Sequence, residues 1–346
     1  MDYSLTEDQS AIAELAEKIF REQVNDDVQA NYHDSLNTGL WQTLAAAGLT
    51  GLGLAEQHGG SAMGFIAQCL VIQAQGAVLA QIPLAETMLA AQALEAGKVS
   101  AGLARVAAGD AWLSLSLAEG LSLEGDTVRG ELDMVPWAEG ALYLVAQAGG
   151  RLVAFAPADA GLELEPQRVS NGRPTCRVLV KHAQALDLGG PEAIEDLRQR
   201  QQVMAAALQL GVTQEALRRT AAYTSERKQF GKPLAAFQAV AHRAADGYMD
   251  IEALRGVVDS AMWRLEEGLD ASLQAGAARW WAAEACHRVS HTAQHLHGGI
   301  GADLQYPIHR YFLWAKQLEF DLGGPAHQLA AMGRHLASDN QSGITL

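Results

Sequence analysis

Cysteine is scarce in this chain. Cys69, Cys176 and Cys286 are the only three among 346 residues, and none of them forms a CxxC or Cys/His ligand spacing. A disulfide framework is thereby excluded, and reduced thiols in a cytoplasmic chain are expected. Positive charge is also short: 25 Lys and Arg face 40 Asp and Glu, a net charge of -15. Such a balance argues against a general nucleic-acid or anionic-membrane surface and leaves any phosphate to a local basic pocket. Long apolar runs are missing, and the start MDYSLTEDQSAIAELAEKIFRE has neither a basic leader nor a continuous hydrophobic stretch, so no membrane span or secretory signal is expected. No fixed-period repeat or low-complexity tract occurs. HExxH and GxSxG are absent, which removes the common zinc-protease and serine-hydrolase readings. His287, His291 and His295 stand four apart on one helical face with His297 close by, but no metal is expected, because a zinc site also needs a thiolate or carboxylate set and an ordered surround.

What is present is a chain long enough for two or three domains, whose texture changes twice. Thr6 and Gln9 make a capping box ahead of Ile12, Leu15, Ala16, Ile19 and Phe20, the spacing of an amphipathic helix. Helical patterns follow around 40–47, 65–79 and 84–96, broken at Gly51-x-Gly53 and Gly59-Gly60. From Trp112 the pattern becomes strand-like: LSLSL at 113–117 alternates with period two, and the short runs ALYLVAQ and RLVAF are divided by Gly149-Gly150. Pro191 then opens a return to helix that reaches about Ala337. The order predicts a mainly α chain with a central β domain, its segments being 1–110 helical, 111–187 β and 188–346 a helical bundle.

The stretch from Arg227 to Arg255 joins a compact basic turn to the longest clean helical period. Gly231 and Pro233 mark a loop, after which Ala241, Ala244, Ala245, Tyr248, Ile251, Leu254 and Val258 recur at three-and-four spacing, predicting one buried helix face. The expectation is that the turn brings Arg227 to a helix start, where a guanidinium and free backbone N–H groups suit a phosphate or pyrophosphate. A second candidate is His295, Gly298 and Gly299. These glycines make no GxGxxG fingerprint and no strand precedes them, which speaks against a dinucleotide-binding βαβ unit.

Arg227-x-Gln229-Phe230-Gly231-x-Pro233-Leu234 followed by Phe237-Gln238 resembles the signature of the acyl-CoA dehydrogenase family. So do His297-Gly298-Gly299-Ile300-Gly301 with Tyr306-Pro307 and Arg310-Tyr311, and, near the start, Leu49-Thr50-Gly51 with Glu56-x-His58-Gly59-Gly60. The resemblance spans nearly the whole chain. It implies the acyl-CoA dehydrogenase fold, an α-helical domain, a β-barrel-like domain and a C-terminal four-helix bundle, with FAD as cofactor and an acyl-CoA thioester as substrate. It further implies that Arg227, Gln229, Phe230, Gln238, His295, Gly298 and Gly299 are cofactor-binding, the arginine reaching the FAD pyrophosphate of a neighbouring subunit and the glycines approaching its ADP half.

The resemblance fails where desaturation chemistry would reside. That reaction needs a carboxylate to remove an α-proton while a β-hydride leaves to the flavin. Aligning Gly323 with the glycine of the family's Glu-Gly-Thr motif puts Leu322 in the glutamate's place, and counting back from Arg227 to the family's alternative position reaches Gln201. Neither side chain can take a proton. Asp321 is next to the lost position, Gly324 replaces the threonine, and the flavin loop is reduced to Leu117-Ala118-Glu119-Gly120. The family likeness therefore points to a subunit without a catalytic residue of its own, assembled with a homologous acyl-CoA dehydrogenase subunit, as in the α2β2 enzymes of steroid side-chain degradation, with an electron-transferring flavoprotein as acceptor. Two other classes stay open: an autonomous dehydrogenase using Asp321, and a flavin-free assembly protein.

Overall fold

The computed structural model describes residues 3–31, 35–159 and 161–339. Helix opens the chain: α1 (Glu7–Gln23), α2 (Asp26–Ala30), α3 (Thr38–Ala46), α4 (Phe65–Ala77), α5 (Leu84–Ala96) and α6 (Leu103–Ala107). The capping box is real, since the Thr6 hydroxyl accepts from Gln9 N at 3.2 Å and Gln9 Oε1 accepts from Thr6 N at 3.0 Å, satisfying two donors that the first turn would otherwise leave free. Strands follow: β1 (Ser114–Ser116), β2 (Leu121–Glu124), β3 (Thr127–Pro136), β4 (Leu144–Ala148), β5 (Arg151–Phe155), β6 (Leu162–Gln167), β7 (Thr175–Gln184) and β8 (Leu186–Gly189). Then come α7 (Pro191–Glu226), the two-residue strands β9 (Lys228–Gln229) and β10 (Lys232–Pro233), α8 (Gln238–Glu266), α9 (Ser272–His297), α10 (Ile308–Phe320) and α11 (Gly324–Asp339).

The chain divides into two compact units. One comprises Tyr32–Gln68 and Gln81–Gln201. It holds two four-stranded sheets, ordered β1-β4-β5-β8 and β2-β3-β7-β6, in which only the β1–β4 pairing among the described residues is parallel. Val128, Leu132, Val135, Val178 and Val180 of one sheet share a core with Leu144, Ala146, Val153 and Phe155 of the other. The strand expected from LSLSL is present as β1, and residues 113–117 are all buried. The serines tolerate this because they are bonded: Ser114 Oγ donates to Pro136 O at 2.6 Å, and Ser116 Oγ accepts from Ala118 N at 3.4 Å, so the cost of burying a free hydroxyl is avoided.

The other unit comprises Met1–Asn31, Cys69–Ala80 and Gln202–Leu346, and is helical. Helix α9 packs along α8, α10 and α11, with Ala278, Ala282, Ala285, Cys286, Val289 and Ala293 fully or almost fully buried. Small residues let the helices approach closely. Tyr311 on α10 is also fully buried and donates its hydroxyl to Ala77 O at 2.9 Å, as a buried phenol must to offset its desolvation. Within this unit the C-terminal ends of α7 and α9 lie together, because Tyr223 in the last turn of α7 stacks on His297, the last residue of α9, at 4.4 Å and 19°.

Candidate functional site

Arg227 is the first residue after α7, not the start of a helix as its sequence context predicts. Apolar patterning carries α7 unbroken through Glu226, about 54 Å at 1.5 Å per residue, and the uncapped helix start falls eleven positions later, at Gln238 on α8. Between them the chain makes a hairpin. Lys228 pairs with Pro233 and Gln229 with Lys232, leaving a two-residue loop of Phe230 (φ 53°) and Gly231 (φ 79°). Positive φ at both positions is the type I′ turn, whose twist matches that of paired strands. Arg227 N donates to Tyr223 O, and Leu234 N donates to Arg227 O, both at 2.8 Å, so the arginine's backbone is fixed at each end of the hairpin.

The side chains of this hairpin face outward. Phe230 is 92% exposed, and it pays for that position with a left-handed backbone that a bulky side chain rarely adopts. Arg227, Gln229 and Gln238 are exposed, and the Arg227 guanidinium has no carboxylate partner among the described residues. The predicted buried face of α8 is buried only in its second half: Ile251, Leu254 and Val258 are inside, whereas Ala241, Ala245 and Tyr248 are exposed and Ala244 is half-buried. On the first three turns of α8, only Gly247 is buried, against Leu217 and Val289, while the side chains at Ala241, Ala245 and Tyr248 stay exposed.

The glycine loop leaves the end of α9 beside this region. Gly298 N donates to His295 O, and Gly298 has φ 62° and ψ -140°, a conformation open to glycine alone in practice. Gly298 and Gly299 are exposed, and a methyl group added at either would meet no atom within 4 Å. His295 is exposed on the last turn of α9. Gln294 is turned to the loop instead, its amide donating to Gly301 O at 3.0 Å. Tyr223 and His297, which hold the two elements together, carry no chemistry in the sequence motifs. The signal for them is positional, one residue four before Arg227 and the other directly before Gly298.

The turn after α10 is built in the opposite sense. Leu322 (φ 61°, ψ 21°), Gly323 (φ 99°) and Gly324 (φ 68°) all have positive φ. Arg279 on α9, fully buried, reaches across to this turn and donates to the carbonyls of Leu318, Glu319 and Asp321 and to Gln209 Oε1. It caps the negative end of α10 with a guanidinium. Burial pulls its pKa down to about 10, with Asp321, Cys286 and Glu319 opposing, so it stays charged at neutral pH. Gln328 Nε2 donates to Leu322 O at 2.8 Å, and Gln202 Nε2 donates to Gln328 Oε1 at 3.1 Å. The Asp321 carboxylate accepts from Gln317 Nε2 at 2.9 Å. Gln201 is half-buried on α7. In the sheet unit, Gly120 accepts from Glu131 N at 3.2 Å, and a side chain at Gly120 would strike Glu131 O at 2.2 Å. The segment Leu117–Gly120 is thus committed to its own sheet.

A helical unit with an exposed arginine hairpin and a bare glycine loop, and a second unit built on two four-stranded sheets, define a class: the fold of acyl-CoA-oxidising flavoenzymes. The chain belongs to the acyl-CoA dehydrogenase family, whose N-terminal domain model matches residues 6–100 and whose C-terminal domain model matches residues 190–337. It is an oxidoreductase of that class, and the cofactor of the family is FAD. It is similar to acyl-CoA dehydrogenase FadE27 of Mycobacterium tuberculosis, 34% identical over 86% of this chain and 88% of that protein. Among solved structures it is similar to a variant of the Tcur3481-Tcur3483 steroid ACAD, with a TM-score of 0.91 and 34% identity over 97% and 99% of the two chains. The ChsE4-ChsE5 complex from Mycobacterium tuberculosis matches with a TM-score of 0.91 and 31% identity, again over 97% and 99%.

The residues present fit one part of FAD. An unpaired guanidinium, an exposed flat phenylalanine and a diglycine stretch of bare backbone suit an anionic, planar-ended group such as the ADP half of a dinucleotide. The turn that carries Leu322, by contrast, is bonded from within by Arg279 and Gln328.

Proposed function

We propose that this chain is the clamping subunit of a hetero-oligomeric, FAD-dependent acyl-CoA dehydrogenase. The observation that carries the reading is the pairing of an intact, outward-facing Arg227 hairpin and Gly298-Gly299 loop with a half-buried leucine, in a turn bonded by Arg279 and Gln328, at the position of the base. In this reading Arg227 neutralises the pyrophosphate, Phe230 packs on the cofactor, Gln229, Gln238 and His295 line its polar side, and Gly298 and Gly299 admit it against bare backbone. The three stretches 1–110, 111–187 and 188–346 are then the family's domains. FAD, when bound, supplies the hydride acceptor for α,β-desaturation of a CoA thioester. Leu322 and Gln201 have no proton-accepting group, and the Asp321 carboxylate is already engaged by Gln317, so a glutamate of a homologous partner takes the α-proton. The exposed first half of α8, with Ala241, Ala245, Tyr248 and Met249, is surface left for that partner. An α2β2 assembly, a steroid side-chain thioester as substrate and an electron-transferring flavoprotein as acceptor complete the proposal, following the steroid ACAD and the two-protein complex to which the chain is similar.

Co-expression with a homologous dehydrogenase subunit, followed by flavin counting and reduction of an artificial acceptor by a panel of acyl-CoA and steroid-CoA thioesters, tests the reading. The expected result is a colourless, inactive chain alone and a yellow, active complex. A yellow chain that turns over acyl-CoA by itself would sink it.

A further inference from the structure

His297 is an unusual member of the helical unit. It is 97% buried, as its 3% exposure shows, and although it opens the glycine motif it has no assigned role there. Nδ1 lies 2.8 Å from Ala293 O. A carbonyl only accepts, so Nδ1 carries the proton and Nε2 presents a lone pair. That Nε2 is sealed from solvent and has no hydrogen-bond partner among the described residues. The ring faces Tyr223 at 4.4 Å in a near-parallel stack and Tyr306 at 5.4 Å and 52°. The Tyr223 hydroxyl lies 3.4 Å from His297 O, so Tyr223 touches both the ring and the backbone of the residue that precedes Gly298.

These contacts join the end of α7, from which the Arg227 hairpin leaves, to the end of α9, from which the glycine loop leaves. Tyr223 is one turn before Arg227 and accepts its N–H. His297 is the last residue of α9 and sets the position from which Gly298 departs. We propose that His297 is a positioning residue, a neutral splint whose stack on Tyr223 holds the Gly298-Gly299 loop in register with the Arg227 hairpin, and that its protonation releases this hold. The inference rests on the functional reading above, in that the held elements clamp FAD.

The physical chemistry gives the direction. A proton on Nε2 would create a donor with no acceptor and a cation in a dry site. The titratable groups facing the ring are the hydroxyls of Tyr223 and Tyr306; no carboxylate bears on His297, and burial is the leading cause that lowers its pKa, the bond to Ala293 opposing it. A folded-state pKa below that of a free histidine means that the unfolded chain binds the proton more readily. The contribution of the neutral ring is therefore complete above about pH 6.5 and declines as pH falls below that value.

The test measures FAD dissociation constants by flavin fluorescence on the assembled complex from pH 5 to 8, for wild type, Arg227→Ala, His297→Ala and His297→Phe. The expected result is about a tenfold weakening at pH 7.5 in His297→Ala, from the loss of one stack and one hydrogen bond, with most of it restored in His297→Phe. Wild type should weaken in acid below about pH 6.5, whereas His297→Phe, which stacks but cannot titrate, should show a flatter profile. Unchanged affinity in His297→Ala while Arg227→Ala weakens binding overturns the splint and leaves the functional reading standing, as does an acid profile in His297→Phe equal to wild type. Unchanged affinity in Arg227→Ala instead overturns the functional reading. The splint is then decided by amide hydrogen exchange at residues 298–301 in the chain without cofactor, read as protection factors relative to the intrinsic rate at each pH: lower protection in His297→Ala and in wild type at acid pH supports it, and unchanged protection overturns it.

Discussion

Two turns of the helical unit invite comparison. The one after α7 places Phe230 at φ 53°, and the one after α10 places Leu322 at φ 61°; both hold a large side chain in the left-handed region, at a cost of roughly 1–2 kcal/mol each. Around Leu322 the compensation is visible inside the chain, because Arg279, Gln328 and Gln202 bond the turn from within. Around Phe230 the hairpin supplies two short strands and one edge-to-face contact with Phe237 at 6.3 Å, and the ring stands 92% exposed. The difference separates a turn built for the chain's own stability from one built for what it meets.

The largest expected effect falls on the turn that Arg279 bonds from within. Arg279→Met should lower the free energy of unfolding by about 3 kcal/mol or more, since several buried carbonyls lose their donor at about 1–3 kcal/mol for each group left unsatisfied. Chemical denaturation of the chain measures this, and a loss below about 1 kcal/mol would mean that water replaces the guanidinium. Next, Arg227→Ala should weaken FAD binding in the complex about ten- to a hundredfold through loss of a charge-assisted contact, while the denaturation midpoint barely moves. Equal effects on binding and stability would erase the contrast between the turns.

Asp321→Asn sharpens the same comparison at the level of chemistry. Removing a true general base costs typically 10²- to 10⁴-fold, whereas turnover of the complex should stay within a few-fold here. A loss of about a thousandfold in a variant that is still yellow and assembled would make Asp321 the base and return the turn after α10 to catalysis. The smallest effect is expected at Phe230→Asn. Asn-Gly is the favoured type I′ pair, so the isolated chain should gain about 0.5–1 kcal/mol as left-handed strain is relieved, while the complex holds FAD less tightly. If stability does not rise, the strain at Phe230 is not a cost that function maintains.

The elements and their order were legible because their causes are local. The capping box at Thr6, the glycine breaks, the helix over Leu84–Ala96 and the onset of α7 at Pro191 each follow from side chains within a few positions. The motifs around Arg227 and Gly298 were legible for the same reason. Two expectations failed where distant packing decides. Periodicity on α8 marks Ala241, Ala245 and Tyr248 as apolar-face positions but does not say whether another part of this chain covers them. Arg227 was expected at a helix start, yet α7 runs through Glu226 and the next long helix begins only at Gln238.

The sequence by itself determined the family, the succession of helix, sheet and helix, and the absence of a proton-accepting side chain at Leu322 and Gln201, since residue identity and short-range spacing are enough for each. Only the tertiary structure decided that Arg227 follows a helix rather than starting one, that Arg279 lies buried beneath the turn after α10, and that Tyr223 and His297 join the hairpin to the glycine loop. Those facts depend on side chains 39 to 74 residues apart meeting in space, and such meetings are set by the packing of whole helices, which no local pattern encodes.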